Sequence, residues 1–171
     1  RGGKSLIREV AENARVPTLK HYEGICHLYM AEDAPEAMAV AVAVNSKCEK
    51  IEVCNALEKL LVDAGAASRL LPALARAFAA QGVELRGCER SRAIVPDLVP
   101  VTEEDWTMEY LAPILAVKVV DGAVAAIRHI NEHGSGHTDG IVTQRLDLAD
   151  AFVAGVDSAS VMVNASTRLS G

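Results

Sequence analysis

The sequence feature that most constrains the fold is a regular alternation of two hydrophobic patterns along the chain. Short apolar runs with the patterning of strands are separated by longer runs in which apolar residues recur at the period of a helix. Strands alternate with helices six or seven times, and no internal repeat or low-complexity linker interrupts them. This order predicts a single α/β domain, an open, mostly parallel sheet with helices on both faces.

The predicted elements begin and end at residues that favour such boundaries. Asp33 and Asp121 are expected to cap helices, because a carboxylate at the N-cap accepts a backbone N–H. Gly82 and Gly134 are expected to end helices. The segment 89–100 is predicted to be irregular and exposed. The predicted helices are 5–14, 34–46, 66–81, 122–133 and 146–154, and the predicted strands are one beginning at 17–20 and those at 25–30, 56–62, 83–86, 114–120, 140–143 and 159–163.

Composition and charge exclude several classes of function. The 171 residues suit one domain, and half of them are apolar, which is enough for a sizeable core. The net charge of −6 comes from interspersed acids and bases, without the basic patch that nucleic-acid binding needs. No apolar run reaches the roughly 18 uncharged residues of a membrane helix. Four cysteines without the density of a disulfide scaffold favour a reducing compartment, and we expect the cytoplasm.

Cys54 is the strongest candidate for a catalytic residue. It lies in a short connection between the predicted helix 34–46 and the predicted strand 56–62, where a turn can present its thiol to a cleft. Nucleophilic cysteines need such partial exposure and a setting that favours the thiolate, to which Lys47 and Lys50 are near enough in sequence to contribute. The alternative is that Cys54 is a small, buried apolar residue, as many intracellular cysteines are.

A metal site is the main rival on residue types alone. His129, His133 and His137 recur every four residues, and on an unbroken helix the first two would share a face. However, Gly134 and Gly136 interrupt the helix before the third histidine, and the pattern is not that of a zinc-binding helix. The sequence therefore predicts no metal. Cys26, Cys48 and Cys88 lack Cys-x-x-Cys spacing and are interpreted as packing residues.

Six short sequence motifs, in this order along the chain, resemble those of a known family. They are Arg-Gly-Gly-Lys at 1–4, Val-Cys-Asn at 53–55 followed by Glu58 and Leu-Leu-Val at 60–62, Glu-Tyr-Leu-Ala-Pro at 109–113, His-Thr-Asp at 137–139, Val-Asp-Ser-Ala-Ser-Val at 156–161 and Asn-Ala-Ser-Thr-Arg at 164–168. Over nearly its whole length the chain resembles the gamma-glutamyl phosphate reductases, also called glutamate-5-semialdehyde dehydrogenases. They belong to the aldehyde dehydrogenase superfamily.

The resemblance implies a fold and a reaction. It implies the catalytic domain of the aldehyde dehydrogenase type over residues 1–171, with the N-terminal dinucleotide-binding domain and the C-terminal tail absent from this chain. It implies NADPH-dependent reduction of L-glutamyl 5-phosphate to L-glutamate 5-semialdehyde in proline biosynthesis, through a thioester on Cys54 whose backbone N–H helps to bind the oxyanion. The full-length enzyme is then expected to be a homo-oligomer, and this chain alone is expected to be inactive.

The resemblance also assigns roles to side chains around Cys54. Glu109 would bind the nicotinamide ribose hydroxyls; otherwise it is a solvated residue in an acidic loop. Asn164, Ser166, Thr167 and Arg168 would hold the amino and carboxylate groups of the glutamyl substrate, with Arg168 as the carboxylate clamp. Without the resemblance, these four residues would be read as an ordinary polar loop.

Two further residues and two other functions stay open. Arg1 stands where hydrolytic aldehyde dehydrogenases carry a glutamate that activates water, which suits a reductase, or it is a frayed terminus. His137 has a possible role at the edge of the active site. The alternatives for the whole chain are another acylating reductase of the aldehyde dehydrogenase type, or a non-catalytic interaction domain with the same fold. Faster alkylation of Cys54 than of the other three cysteines would argue against the last of these.

Overall fold

The computed structural model describes residues 4–17 and 23–170. Within them, seven strands alternate with helices. The strands are β1 (Cys26–Met30), β2 (Leu57–Asp63), β3 (Glu84–Gly87), β4 (Val99–Pro100), β5 (Ile114–Val120), β6 (Thr138–Val142) and β7 (Ser160–Val163). The α-helices are α1 (Lys4–Asn13), α2 (Glu36–Cys48), α3 (Ala64–Ala80), α4 (Glu89–Ile94), α5 (Gly122–His133) and α6 (Leu146–Gly155), and two 3-10 turns span Glu104–Trp106 and Thr167–Ser170.

The strands form one sheet in the order β4-β3-β5-β2-β1-β6-β7, and all neighbouring pairs are parallel. In the centre, Leu28 on β1 lies level with Leu60 on β2, which in turn lies level with Val117 on β5. Parallel pairing requires crossover connections, and the helices between successive strands provide them. The predicted α/β fold is confirmed, with a sheet that is parallel throughout.

Each face of the sheet has its own hydrophobic core. Leu28 and Met30 of β1 point to the face covered by α2 and α3, where Leu70, Leu74 and Phe78 belong to the same buried cluster. Tyr29 points to the opposite face, where it stacks on Phe152 of α6 at a centroid distance of 6.0 Å and packs with residues of α5. Burial on both faces explains why the central strands read as nearly continuous apolar runs.

The prediction for 89–100 is wrong. Residues Glu89–Ile94 form α4, and Val99–Pro100 form the edge strand β4 beside β3. Ser91 and Leu98 are buried there, because Gly87 leaves space for both: a Cβ on Gly87 would lie 2.7 Å from an atom of each. A six-residue helix and a two-residue strand are too short for a hydrophobic period to be visible in the sequence.

Two predicted helix caps are also wrong. Helix α2 begins at Glu36 after Pro35, and the Asp33 carboxylate instead accepts hydrogen bonds from Thr143 Oγ1 and the Gln144 N–H, both at 2.7 Å. Asp121 precedes α5 but makes no cap hydrogen bond, because its carboxylate binds Arg90. The other predicted helices and the strands from 25 onward agree within about two residues. Most of the strand beginning at 17–20 lies outside the described residues.

The longest helix of the described ranges, α3, has 17 residues. None of the helices in these ranges combines the length and the apolar character needed to span a membrane.

Candidate active site

Cys54 lies in the connection between α2 and β2, at the edge of the sheet where the strands begin. We call the side of the sheet formed by the N-terminal ends of the strands the amino edge, and the side formed by their C-terminal ends the carboxyl edge. The Cys54 loop, residues 49–56, contains a turn closed by the hydrogen bond from the Ala56 N–H to the Val53 carbonyl at 3.0 Å. The Cys54 side chain is half-buried and forms no disulfide. It therefore has the partial exposure that a nucleophilic thiol requires.

The segment that enters β1 packs directly against the Cys54 peptide. A Cβ placed on Gly24 would lie 1.8 Å from the Cys54 carbonyl oxygen, so only glycine allows this approach. The buried Cys26 thiol donates to the same oxygen, with Sγ at 3.3 Å. Burial raises the pKa of Cys26 well above its ordinary value, which keeps this thiol protonated and able to donate.

Glu109 is joined to Cys54 through one glycine. Its Oε1 accepts the Gly24 N–H at 2.7 Å, although the two residues are 85 positions apart in the sequence. The preceding carbonyl, that of Met108, accepts a hydrogen bond from the buried Lys59 ammonium at 2.7 Å. The structure thus brings Glu109, which the sequence singled out, to the same edge as Cys54.

The four predicted substrate residues separate into two groups. Thr167 donates from Oγ1 to the Asn55 carbonyl at 2.8 Å, and the Arg168 carbonyl accepts a hydrogen bond from the Asn55 side chain at 3.4 Å. Residues 166–168 therefore lie against the Cys54 loop. Asn164 stays at the carboxyl edge, where its side-chain amide exchanges two hydrogen bonds of 2.9 Å with the backbone of Thr143.

Within the first group, Arg168 has a buried hydrogen-bond donor that the described residues do not use. Ser166 and Thr167 are buried, and the Ser46 hydroxyl donates to Ser166 Oγ and accepts the Thr167 N–H. The Arg168 Nε is buried and lacks a hydrogen-bond partner among the described residues. A buried unpaired guanidinium nitrogen is unfavourable unless an acceptor binds it, which fits a site for a carboxylate.

A buried ion pair lies at the base of the Cys54 loop. Lys47 Nζ is 3.2 Å from Glu58 Oε1, and the two side chains are 0% and 1% exposed. Glu58 Oε2 also accepts the Tyr110 N–H at 3.1 Å. Burial lowers the pKa of Lys47 and raises that of Glu58, and the attraction between them opposes both shifts. The Lys47 charge, considered from sequence as an aid to the Cys54 thiolate, is thus bound by Glu58.

His137 reaches the Cys54 loop through a chain of hydroxyl groups. Its Nδ1 lies 2.7 Å from Thr138 Oγ1, which lies 2.8 Å from Ser170 Oγ. The Asn55 side chain is 3.5 Å from the same Ser170 oxygen. This places His137 near the edge of the candidate site, and its role there stays a prediction. Arg1 lies outside the described residues.

The other histidines that suggested a metal site are packed in the protein. His129 is buried beside Trp106 and His133, at centroid distances of 5.3 and 4.4 Å. Burial lowers its pKa to about 2, so it is neutral and accepts a hydrogen bond at Nδ1 from Lys118 at 3.1 Å. Among residues 4–17 and 23–170, no group of three His, Cys, Asp or Glu side chains is arranged to hold a metal ion.

Two comparisons place the chain beside known enzymes. No protein-family model matches it. The chain is 51% identical over 168 residues to gamma-glutamyl phosphate reductase of Rhodopirellula baltica, which covers 98% of this chain and 39% of that protein. The solved structure of gamma-glutamyl phosphate reductase from Thermotoga maritima superposes with a TM-score of 0.95 at 46% identity, covering 99% of this chain and 41% of the other.

More distant structures share the fold. Gamma-glutamyl phosphate reductase from Saccharomyces cerevisiae gives a TM-score of 0.69 at 31% identity, over 99% of this chain and 43% of that one. An acetylating aldehyde dehydrogenase from Geobacillus thermoglucosidasius gives 0.75 at 20% identity, over 99% of this chain and 46% of that one, which shows the fold alone. The chain thus spans about two fifths of the relatives that it matches.

Proposed function

We propose, from the homology of this chain to gamma-glutamyl phosphate reductases over 98% of its length, that it is the cysteine-bearing domain of such an enzyme. The reaction is the NADPH-dependent reduction of L-glutamyl 5-phosphate to L-glutamate 5-semialdehyde with release of phosphate, a step of proline biosynthesis. The observation that carries the proposal is the meeting of three chain segments at the amino edge. Glu109 and the loop with Arg168 both contact the immediate neighbours of the half-buried Cys54 thiol.

Cys54 is the nucleophile in this proposal. Its thiolate attacks the acyl carbon of the substrate, the bond from that carbon to the phosphate oxygen breaks, and phosphate leaves with the electron pair. The product is a γ-glutamyl thioester on Sγ. The Cys54 N–H donates no hydrogen bond within the described residues, so it is available to the oxyanion that develops during the attack.

Arg168 is the proposed clamp for the substrate carboxylate. Its buried, unpartnered Nε supports this role, because an arginine can bind a carboxylate with two parallel hydrogen bonds. Ser166 and Thr167 act by holding the loop, since their hydroxyl groups already bond within the protein. Asn164 holds the far end of the same loop through its two hydrogen bonds with the Thr143 backbone, and its proposed contact with substrate requires this end of the loop to move from the carboxyl edge toward Cys54.

Glu109 is the proposed contact to the cofactor. NADPH supplies the hydride that converts the thioester to the aldehyde and frees the Cys54 thiolate. The Glu109 side chain is half-buried, and its Oε2 has no hydrogen-bond partner in the described ranges, so a ribose hydroxyl fits there. We assign the remainder of the cofactor site to a separate dinucleotide-binding domain, and we expect the complete enzyme to be a cytoplasmic homo-oligomer.

The proposal is tested by trapping the acyl-enzyme without nucleotide. L-glutamyl 5-phosphate is generated in place by a glutamate kinase with L-glutamate and ATP, and the protein mass is then measured. We expect one γ-glutamyl group, located on Cys54 by peptide mapping and removed by neutral hydroxylamine, and no adduct on the Cys54→Ala variant. The Cys48→Ala variant is the matched control, because Cys48 is also half-buried but precedes the loop. An unmodified Cys54 in the wild-type chain would overturn the proposal.

The two other functions give different results in the same experiment. Another acylating reductase would be labelled on Cys54 by a different donor, such as an acyl thioester, in preference to the glutamyl phosphate. A non-catalytic interaction domain would show no adduct, and iodoacetamide would label Cys54 no faster than the other half-buried cysteines, Cys48 and Cys88. The chain alone is expected to show no steady-state oxidation of NADPH.

A further inference from the structure

The Cys54 loop is closed at its base by two charged side chains. Lys47 lies in the last turn of α2 and Glu58 is the second residue of β2, so that they flank the loop on either side. Their charged atoms are 3.2 Å apart, and both side chains are almost completely buried. The ion pair therefore fixes the distance between the two ends of the segment that carries Cys54.

Glu58 also connects this loop to the segment with Glu109. Its second oxygen accepts the N–H of Tyr110, the residue that follows Glu109. Glu109 in turn binds the Gly24 N–H, and Gly24 packs on the Cys54 carbonyl. The contacts form a closed ring from the Cys54 loop through Glu58 to residues 109–110, and back through Gly24 to Cys54.

Burying this pair is unfavourable for the fold by itself. Removing two charges from water is costly before their attraction offsets it, and well-packed apolar residues of similar volume often stabilise a fold as much or more. Both pKa values shift in the direction that burial dictates, which reflects this cost. Charged residues at these two positions are explained if the ion pair serves to fix the two ends of the Cys54 loop.

We infer that Lys47 and Glu58 are positioning residues, which hold Cys54 at a fixed place relative to Glu109 without touching the reacting atoms. The inference rests on the proposed function, in which the thiol and the Glu109 carboxylate serve the same reaction. It predicts that the pair controls acylation of Cys54 by substrate separately from the stability of the domain.

The test uses a double variant that should keep the stability of the domain but lose the fixed position of the Cys54 loop. In Lys47→Met with Glu58→Met, both charges are removed together, so we expect the melting temperature to stay near that of the wild type, whereas either single variant lowers it. The Tyr110 N–H loses its acceptor and the loop loses its closure. We expect acylation by L-glutamyl 5-phosphate to fall about 100-fold, because a displacement of about 1 Å has that effect on a positioned reaction.

Iodoacetamide provides a readout that needs no substrate. A released loop opens more often, so the double variant should label at Cys54 about fivefold faster than the wild type, while Cys88 after β3 labels at an unchanged rate. Lys47→Met with Glu58→Gln keeps an acceptor for the Tyr110 N–H and should restore part of the slow labelling. Unchanged labelling of Cys54 in the stable double variant would overturn the inference. If the wild type itself is not acylated, the proposed function fails, and the labelling rates still decide whether the pair positions Cys54.

Discussion

The two edges of the sheet use polar side chains in different ways. At the amino edge, buried or half-buried carboxylates bind backbone N–H groups from distant parts of the chain: Glu109 binds Gly24, and Asp139 binds the His27 N–H at 2.6 Å across 112 positions. At the carboxyl edge, the half-buried Asp33 makes one contact of this kind, with the Gln144 N–H, but Arg90 and Asp121 form a bidentate pair on the surface, with side chains 49% and 75% exposed. Arg145 and Asp147 form a similar exposed pair after β6.

This difference shows where the fold holds its geometry most firmly. A buried carboxylate that binds a backbone N–H fixes two loops and leaves an unpaired group if it is removed, whereas an exposed ion pair is screened by water and contributes little to stability. Ligands of open parallel sheets usually bind at the carboxyl ends of the strands. Here Cys54, Glu109 and Arg168 lie at the amino edge, where the buried Lys47–Glu58 ion pair and the buried Asp139 also lie.

The largest difference is expected between two cysteines in the complete enzyme that we propose. Cys54→Ala at the amino edge removes the proposed nucleophile and should lower kcat by about 10⁴-fold or more. Cys88→Ala, next to the carboxyl edge, should leave kcat within about twofold. The measurement is NADPH oxidation with L-glutamyl 5-phosphate. Comparable activity of both variants would mean that the amino edge does not contain the reacting group.

The effect of a glycine-to-alanine substitution on the free energy of unfolding should also differ between the two edges, and Gly24→Ala and Gly65→Ala are the matched pair. In Gly24→Ala the new methyl group would lie 1.8 Å from the Cys54 carbonyl oxygen, so the free energy of unfolding of this variant should fall by about 3 kcal/mol. The three atoms nearest to a methyl group on Gly65, in the first turn of α3, all belong to the exposed side chain of Glu32, at 2.8 to 2.9 Å. That side chain can move, and alanine favours the helix by about 0.5–1 kcal/mol. Urea unfolding of both variants measures this; equal effects would contradict the close approach at Cys54.

The sequence predicts the long elements because they repeat a pattern often enough to be recognised. Ile114–Val120 is predicted to the residue, whereas α4 and β4 are missed because neither contains a complete hydrophobic period. Asp33 is predicted as a cap from its position before a helix, but its carboxylate binds Thr143 across 110 positions. A local sequence pattern does not reveal the order of the strands in the sheet. That order decides which distant residues, such as Asp33 and Thr143, become hydrogen-bond partners.

The same limit applies to the candidate site. Short sequence motifs identify Cys54, Glu109 and Arg168 as candidate site residues. They do not identify Gly24, because its role depends on a contact with the Cys54 backbone that only the fold creates. Glu58 and Lys59 carry a signal that sequence reasoning can use. They are adjacent charged residues inside an apolar strand, and charges in such a strand need partners when buried. What the sequence does not reveal is that the partners are Lys47 and the backbone of residues 108–110.

A smaller difference is expected between two aspartates. Asp139 is fully buried, and its two oxygens bind the His27 N–H and the Ser158 hydroxyl. Asp139→Asn keeps one acceptor and loses the other, which should lower the free energy of unfolding by about 2 kcal/mol. Asp33→Asn makes the same change in a half-buried side chain at the carboxyl edge, where water can replace the lost acceptor, and should cost about 1 kcal/mol or less. Thermal unfolding of the two variants at one pH gives the comparison.

The smallest expected effect is a change in how stability depends on pH. Burial lowers the pKa of Lys59 to about 8. Between that pH and the ordinary lysine value of about 10.5, the folded chain binds fewer protons than the unfolded chain, so this residue makes stability rise with pH. Its contribution should grow by about 1 kcal/mol from pH 8 to pH 9, and Lys59→Met should remove that increase.

Arg145→Met is the control for Lys59→Met, since it removes an exposed cation from the carboxyl edge that stays charged throughout this range. It should leave the slope of the wild type unchanged. Denaturant unfolding of the three proteins at several pH values between 7 and 10 measures the slopes. If Lys59→Met keeps the wild-type slope, the Lys59 ammonium is solvated in the folded chain. The contrast between a buried amino edge and an exposed carboxyl edge then does not extend to the strand that follows Cys54.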